Sequence, residues 1–298
     1  MMSQIVELNG ITKTFGNFRA VKNMSLSLEE NKIYGLLGRN GAGKTTLMHL
    51  LTAQQFPTAG SVAVFGEDPY ENSRVLSNVC FIKESQRYPD NYHVTDVMKL
   101  APALFKYWDD LYANKLLKQF RVPLKRRMKQ LSRGQLSAVG IVVGLASRAK
   151  LTIFDEPYLG LDAVSRGIFY DRLLEDYAQH PRTIILSTHL IDEVSKLLEH
   201  VILIDEGKLL LNETAETLRG SAFTIVGPKA QLKTFASGKE IIHQQEVGSF
   251  MSCTIQGVLS VQEKQEAMEI GLDVSPVSLQ QLMVQLTGND LEAEEAEQ

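Results

Sequence analysis

The apolar positions of this chain fall into short blocks whose spacing changes repeatedly between strand-like and helix-like. Ile5–Asn9, Met24–Leu28, Lys32–Leu37 and Ser61–Phe65 read as early strands, and Leu151–Phe154, Thr183–Ser187 and Val201–Ile204 as later ones. The later three are continuous apolar runs, the pattern of strands covered on both faces. A helix is expected from Gly43 or Lys44 to about Ala53, and helical spacing covers Val94 to about Phe120, where Pro102 is expected to break or kink it and Pro123 lies beyond its end. "SRGQLSAVGIVVGLA" reads as a buried helix. This alternation predicts a parallel sheet with helices on both faces. After about Gly220 the texture changes: "AFTIVGP", "EIIHQQ" and "FMSCTIQG" predict strands around one or two short helices, a small α+β unit over 221–290. The acidic end "LEAEEAEQ", 291–298, is expected to fray.

Composition narrows the class. With 298 residues, 44% hydrophobic and 22% charged, the chain has room for one full domain and a smaller second one. A net charge of −4 argues against a broad nucleic-acid surface. Cys80 and Cys253 match no metal spacing and point to reduced thiols, with a single bridge between them left open. "MMSQIVELNG" has neither a basic nor an apolar region of a signal peptide. No apolar run approaches the roughly 18–20 residues of a spanning helix, so any membrane role is expected to come through a partner.

The candidate chemistry begins at "GLLGRNGAGKTTL", residues 35–47, between a predicted strand and a predicted helix. Gly38-x-x-x-x-Gly43-Lys44-Thr45 fits a phosphate loop in the context such a loop requires. Glycines at 38, 41 and 43 let backbone N–H groups approach a polyphosphate, and the helix beginning near Lys44 adds its positive end. Gly38, Arg39, Asn40, Gly41, Ala42, Gly43, Lys44, Thr45 and Thr46 are therefore the expected nucleotide-binding stretch. Lys44 would reach the β and γ phosphates, and the Thr45 hydroxyl would ligate Mg²⁺. A dinucleotide fingerprint is excluded, because Thr46 stands where a third Gly is needed. "LTIFDEP", 151–157, ends a strand on two adjacent acids, at the sheet edge where ligands bind in parallel α/β folds. Asp155 is expected to hold Mg²⁺ and Glu156 to polarise the attacking water.

Between these motifs lies "LSRGQ", Leu131–Gln135, and here the chain resembles the ATP-binding cassette family, whose signature is usually written LSGGQ. The resemblance covers about residues 4–220 and rests on the order of the motifs. It implies a P-loop NTPase cassette of the α/β class, with a RecA-like mixed sheet core, an antiparallel β subdomain and an α-helical subdomain at about 85–148, followed by the small C-terminal unit. It further implies that Ser132, Arg133, Gly134 and Gln135 meet the γ-phosphate held by a second subunit. Arg133 departs from the usual Gly; it would cost about 1 kcal/mol or more if that position required φ > 0, or else add a cation near the nucleotide. "YLGLDAVSR" resembles the family's D-loop, with Leu161 and Asp162 at the subunit contact. "STHLIDEV" places His189 where the family carries a γ-phosphate-sensing histidine. Phe15 is expected to stack on adenine, with Phe18 second. The family's Gln beside Mg²⁺ has Glu84 at the matching position here, with Gln86 two residues on.

The resemblance implies ATP and Mg²⁺ as cofactors, a second nucleotide-binding subunit, identical or related, and separate transmembrane permease subunits that would hold this chain at the cytoplasmic face of a membrane. No nucleic acid is expected. Tyr88, Tyr92, Phe105 and Trp108 are candidates for the groove that receives a helix of the membrane subunit. "YGLLGRNGAGKTT" and "DEPYLGLD" look most like exporters of peptides, lipids or antibiotics. The rival reading is a soluble cassette ATPase with a regulatory, immunity, ribosome or DNA role.

Overall fold

Alternating β-branched and aliphatic residues near the N-terminus build long strands, and the apolar blocks further on build short buried ones. In a computed structural model the described residues are 3–84 and 86–296, with side chains of the last helix described through Thr287. In chain order the elements are β1 (Gln4–Phe15), β2 (Phe18–Glu29), β3 (Ile33–Leu37), α1 (Lys44–Leu51), β4 (Ala59–Val64), α2 (Ser73–Leu76), β5 (Val79–Ile82), α3 (Val94–Leu104), α4 (Asp110–Gln119), α5 (Arg133–Ser147), β6 (Leu151–Asp155), α6 (Ala163–Gln179), β7 (Thr183–Ser187), α7 (Ile191–Val194), β8 (His200–Asp205), β9 (Lys208–Thr214), α8 (Ala215–Leu218), β10 (Ala222–Pro228), α9 (Lys229–Phe235), β11 (Ile241–Val247), β12 (Phe250–Gln256), α10 (Val261–Glu269), β13 (Asp273–Pro276) and α11 (Leu279–Ala296). The chain divides into two units: Met1–His189 with Leu197–Asn212, and Leu190–Lys196 with Glu213–Gln298.

The first unit holds a six-stranded sheet in the order β5-β6-β7-β3-β8-β9 and a three-stranded sheet in the order β2-β1-β4. β5, β6, β7, β3 and β8 are all parallel, and every residue of β3, β6 and β7 is buried, as their unbroken apolar runs predict. β1 pairs antiparallel with both β2 and β4. The core joins the two sheets through Val6, Leu8, Leu28 and Val64 on one side and Leu36, Ile153 and Ile185 on the other, with Leu47 and Met48 of α1 between.

The expected helical subdomain is present as α3 to α5. Pro102 does not end α3 directly; the helix runs two residues past it, to Leu104, and the chain turns extended at Phe105. Asp109 then caps α4, accepting from the Tyr112 N–H at 2.8 Å. The α5 stretch from Ala138 to Ser147 is wholly buried, in line with its apolar sequence. A buried charge cluster supports this region. Asp176 pairs with Arg182 at 2.7 Å and with Arg148 at 3.4 Å, and Arg148 also reaches Asp109 at 3.0 Å.

The second unit is an antiparallel sheet in the order β11-β12-β10-β13. Its core gathers Phe223, Ile225, Met251, Cys253 and Ile255 with Leu232 of α9 and Ala267 of α10. The sequence reading anticipated one or two short helices here; β13 and α11 come in addition, because the broken, polar pattern after Ile270 hides them. The unit also takes in α7, which contacts α11. The acidic tail expected to fray from 291 has its side chains, and residues 297–298 altogether, outside the described residues. Cys80 and Cys253 are both free and buried, and burial raises the Cys80 thiol to about 12.

Candidate functional site

The turn between β3 and α1 is shaped by backbone that side chains would obstruct. Gly38, Gly41 and Gly43 have φ of 149°, 87° and 103°. A Cβ on Gly38 would stand 2.1 Å from the Ile204 carbonyl oxygen, and one on Gly43 2.5 Å from that of Ala20. Only glycine fits either position without moving backbone. The loop therefore lies tight against β8 and β2 and leaves a hollow of about 320 Å³ on its open side. Lys44 is buried and donates from Nζ to the carbonyls of Gly38 (2.7 Å) and Arg39 (3.1 Å) of its own loop. Burial pulls its ammonium below the ordinary lysine value, against the opposing pull of Glu156, Asp155 and Asp205.

Thr45 and Asp155, assigned to Mg²⁺ from motifs 110 residues apart, meet: the Thr45 hydroxyl donates to Asp155 Oδ2 at 2.9 Å. Among the described residues no cluster of three His, Cys, Asp or Glu could hold a metal by itself. A hydroxyl beside one carboxylate suits a cation that takes its remaining ligands from phosphates and water, as Mg²⁺ does. The residues present fit both a triphosphate and Mg²⁺.

Glu156 follows at the carboxyl end of β6 with φ 49°, a left-handed conformation that costs a non-glycine residue energy and turns its side chain out of the strand's alternation. Its carboxylate is held from two sides. His189, just after β7, places Nδ1 2.8 Å from Glu156 Oε2. Tyr158, 2% exposed, donates from its hydroxyl to the same oxygen. That hydroxyl also lies 2.7 Å from Thr188 Oγ1 and accepts from the His189 N–H at 3.0 Å. Burial, then Glu156, raises the phenol far above its ordinary value, so it stays a donor. Sequence reasoning did not single out Tyr158; its signal was an aromatic residue two positions after Glu156, readable as core.

The signature behaves as a helix cap and as an open surface at once. Ser132 caps α5, accepting from the Gln135 N–H at 3.2 Å, while the Gln135 side chain accepts from the Ser132 N–H at 3.1 Å. Ser132, Gly134 and Gln135 line a hollow of about 540 Å³ together with Leu161 and Asp162. Asp162 caps α6 through the Ser165 N–H at 2.7 Å, and that bond holds its carboxyl below the usual range. This hollow and the phosphate-loop hollow share no lining residue.

Three expectations shift. Arg133 is the first residue of α5 and is not in the left-handed region, so the strain alternative fails; its guanidinium pairs with Glu84. Of the two candidates after β5, Glu84 reaches the phosphate-loop hollow, while Gln86 is not among its lining residues. Phe18 also lines that hollow, whereas Phe15, the first choice for adenine, does not and has Lys13 Nζ 5.0 Å from its ring centroid; both rings are exposed.

A family model described as "ABC transporter" matches residues 21–159. The bacitracin transport ATP-binding protein BcrA of Bacillus licheniformis is 31% identical over 214 residues, 70% of this chain and 69% of that protein. The chain belongs to the ABC transporter family. The lantibiotic transport ATP-binding protein SrtF of Streptococcus pyogenes is 30% identical over 211 residues, covering 70% of this cassette chain and 90% of its own length. Among solved structures, a dimeric bacterial ABC transporter cassette superposes with a TM-score of 0.63 at 22% identity, over 71% of this chain and 99% of that one. That likeness extends the family assignment to the fold, an ABC cassette.

Proposed function

We propose that this cassette is the ATP-hydrolysing motor of an exporter whose membrane-spanning subunits are separate chains. One observation carries the mechanism: the phosphate loop with Asp155 and Glu156 lines one hollow, and Ser132, Gly134 and Gln135 of the signature line another with Leu161 and Asp162. A single copy cannot close both around one triphosphate, so two copies, identical or related, each complete the other's site. The loop amides, the α1 N-terminus and Lys44 bind the phosphates. Thr45 and Asp155 would hold Mg²⁺, which when bound offsets phosphate charge. Glu156, aimed by Tyr158 and His189, accepts the proton of the attacking water. Phe18, at the hollow's edge, is the ring placed for the base, and Glu84 stands nearest the position of the family's Gln.

Export of a peptide-like antibiotic is the cargo reading favoured by the names of BcrA and SrtF. Among the described residues no helix is long and apolar enough to cross a membrane, in keeping with a peripheral subunit. For docking, the expected aromatics Tyr88, Tyr92, Phe105 and Trp108 are largely buried, and the Trp108 N–H donates to Asp110. Leu100, Leu104, Tyr107 and Leu111 of α3, α4 and the link between them stand 43–85% exposed and are better placed to anchor a membrane subunit's helix.

Glu156→Gln tests the reading. ATP binding should persist and turnover fall at least about a hundredfold, the scale of a lost general base. Light scattering of this variant with ATP and Mg²⁺ should show dimers. Undiminished hydrolysis would remove Glu156 from its role, and a strict monomer would remove the two-copy site.

A further inference from the structure

Three acids face the phosphate-loop hollow: Asp155, Glu156 and Glu84. Asp155 is bonded to Thr45, and Glu156 to Tyr158 and His189, so each has a defined task. Glu84 has neither. It lies on the rim shared with a second, adjoining hollow of about 650 Å³ that Arg39, Arg133 and His189 also line. There its carboxylate pairs with the Arg133 guanidinium. We infer that Arg133 serves in its own chain to cancel the charge of Glu84, so that an incoming triphosphate meets no third uncompensated acid at the mouth of the site.

The pair is too exposed, at 63% and 43%, to add much to stability, so holding the fold together is a poor account of it. The stem of Arg133 is nonetheless packed. Arg133 begins α5 beside the capped Ser132, and its aliphatic stem lies across Gly160: a Cβ placed there would stand 2.9 Å from Arg133 Cγ. Gly160, at φ 87°, thus leaves the channel along which Arg133 reaches Glu84. These are also the two positions at which the chain departs from the family's neutral Gln and Gly. One departure supplies a negative charge and the other removes it.

The inference rests on the ATP-binding reading above, and a double-substitution cycle separates the two. Affinity for ATP without Mg²⁺ is measured by calorimetry on the full chain, at a concentration where sedimentation shows a monomer. Arg133→Gly should weaken binding about fivefold, Glu84→Gln should not weaken it, and the double variant should return to within about twofold of the unsubstituted protein, as expected for residues in direct contact. Arg133→Lys should retain most of the affinity. The Arg133→Gly deficit should shrink as salt is raised, since the repulsion is solvent-exposed. Should Gly loosen the helix start, seen as a lower melting temperature, Arg133→Met with and without Glu84→Gln reads the same coupling. An equal deficit with and without Glu84 would overturn the inference and make Arg133 a direct phosphate contact or a structural residue. No change on losing Arg133 in the monomer would overturn it too. Failure of the unsubstituted protein to bind ATP, or undiminished binding by Lys44→Ala, would instead sink the proposed function.

Discussion

Tyr158→Phe isolates one hydroxyl, the one that grips the proposed catalytic carboxylate of Glu156. The ring remains, 2% exposed and in place, so packing is preserved while the hydroxyl's contacts to Glu156, Thr188 and His189 vanish. The first is the donation to Glu156, a hydrogen bond to a charged group of the kind that contributes about 1.5–3 kcal/mol. Another is the bond accepted from the His189 N–H, which is left short of a partner. At about 1 kcal/mol or more for a buried group so deprived, the first unit should lose about 2–4 kcal/mol. For a unit of this size that is a fall of roughly 5–15 °C in melting temperature. Catalysis should suffer separately. If the lost bond aims the carboxylate at water, kcat should drop about ten- to a hundredfold, because each 1.4 kcal/mol is a factor of ten. KM for ATP should stay within about twofold, since the phosphate loop and Lys44 are untouched. Steady-state phosphate release gives both constants, and differential scanning fluorimetry gives the melting temperature. A variant that melts lower but turns over normally would show that Tyr158 holds the fold and not the base. Combination with Glu156→Gln sharpens this: the Tyr158 effect on kcat should disappear once the carboxylate is gone.

Two further outcomes follow from charges elsewhere. Asp176→Ala strands Arg182, 4% exposed, without its carboxylate, and should destabilise the first unit by about 3–5 kcal/mol in urea unfolding; a loss below about 1 kcal/mol would mean water reaches the site. In the second unit, Lys239 and then the Ser260 cap hold the Glu263 carboxyl down to about 2, from an ordinary value of 4.5. Because its folded value is lowered, its contribution to stability is complete above about pH 4.5 and fades as pH falls toward 2. The melting difference between the unsubstituted protein and Glu263→Gln should therefore narrow over that interval, and a constant difference would refute the assignment.

Much of this protein was written in local pattern. The unbroken apolar runs of β3, β6 and β7 dictate a sheet buried on both faces, and Gly38-x-x-x-x-Gly43-Lys44-Thr45 at a strand-to-helix turn has the pattern of a phosphate cradle. The Ser132–Gln135 cap could be read from four consecutive residues, because capping is satisfied within one turn. What the chain could not reveal on its own was convergence between distant segments. The bond between Thr45 and Asp155, the choice of Phe18 over Phe15 at the hollow, and the grip of Tyr158 on Glu156 depend on how strands stack and how loops leave them. Arg133 and Glu84 looked like two unrelated departures until folding brought them together, since an ion pair is set by distance in space and leaves no periodicity in sequence. Motif chemistry is local and can be read along one dimension; partnership is decided only when the sheet closes.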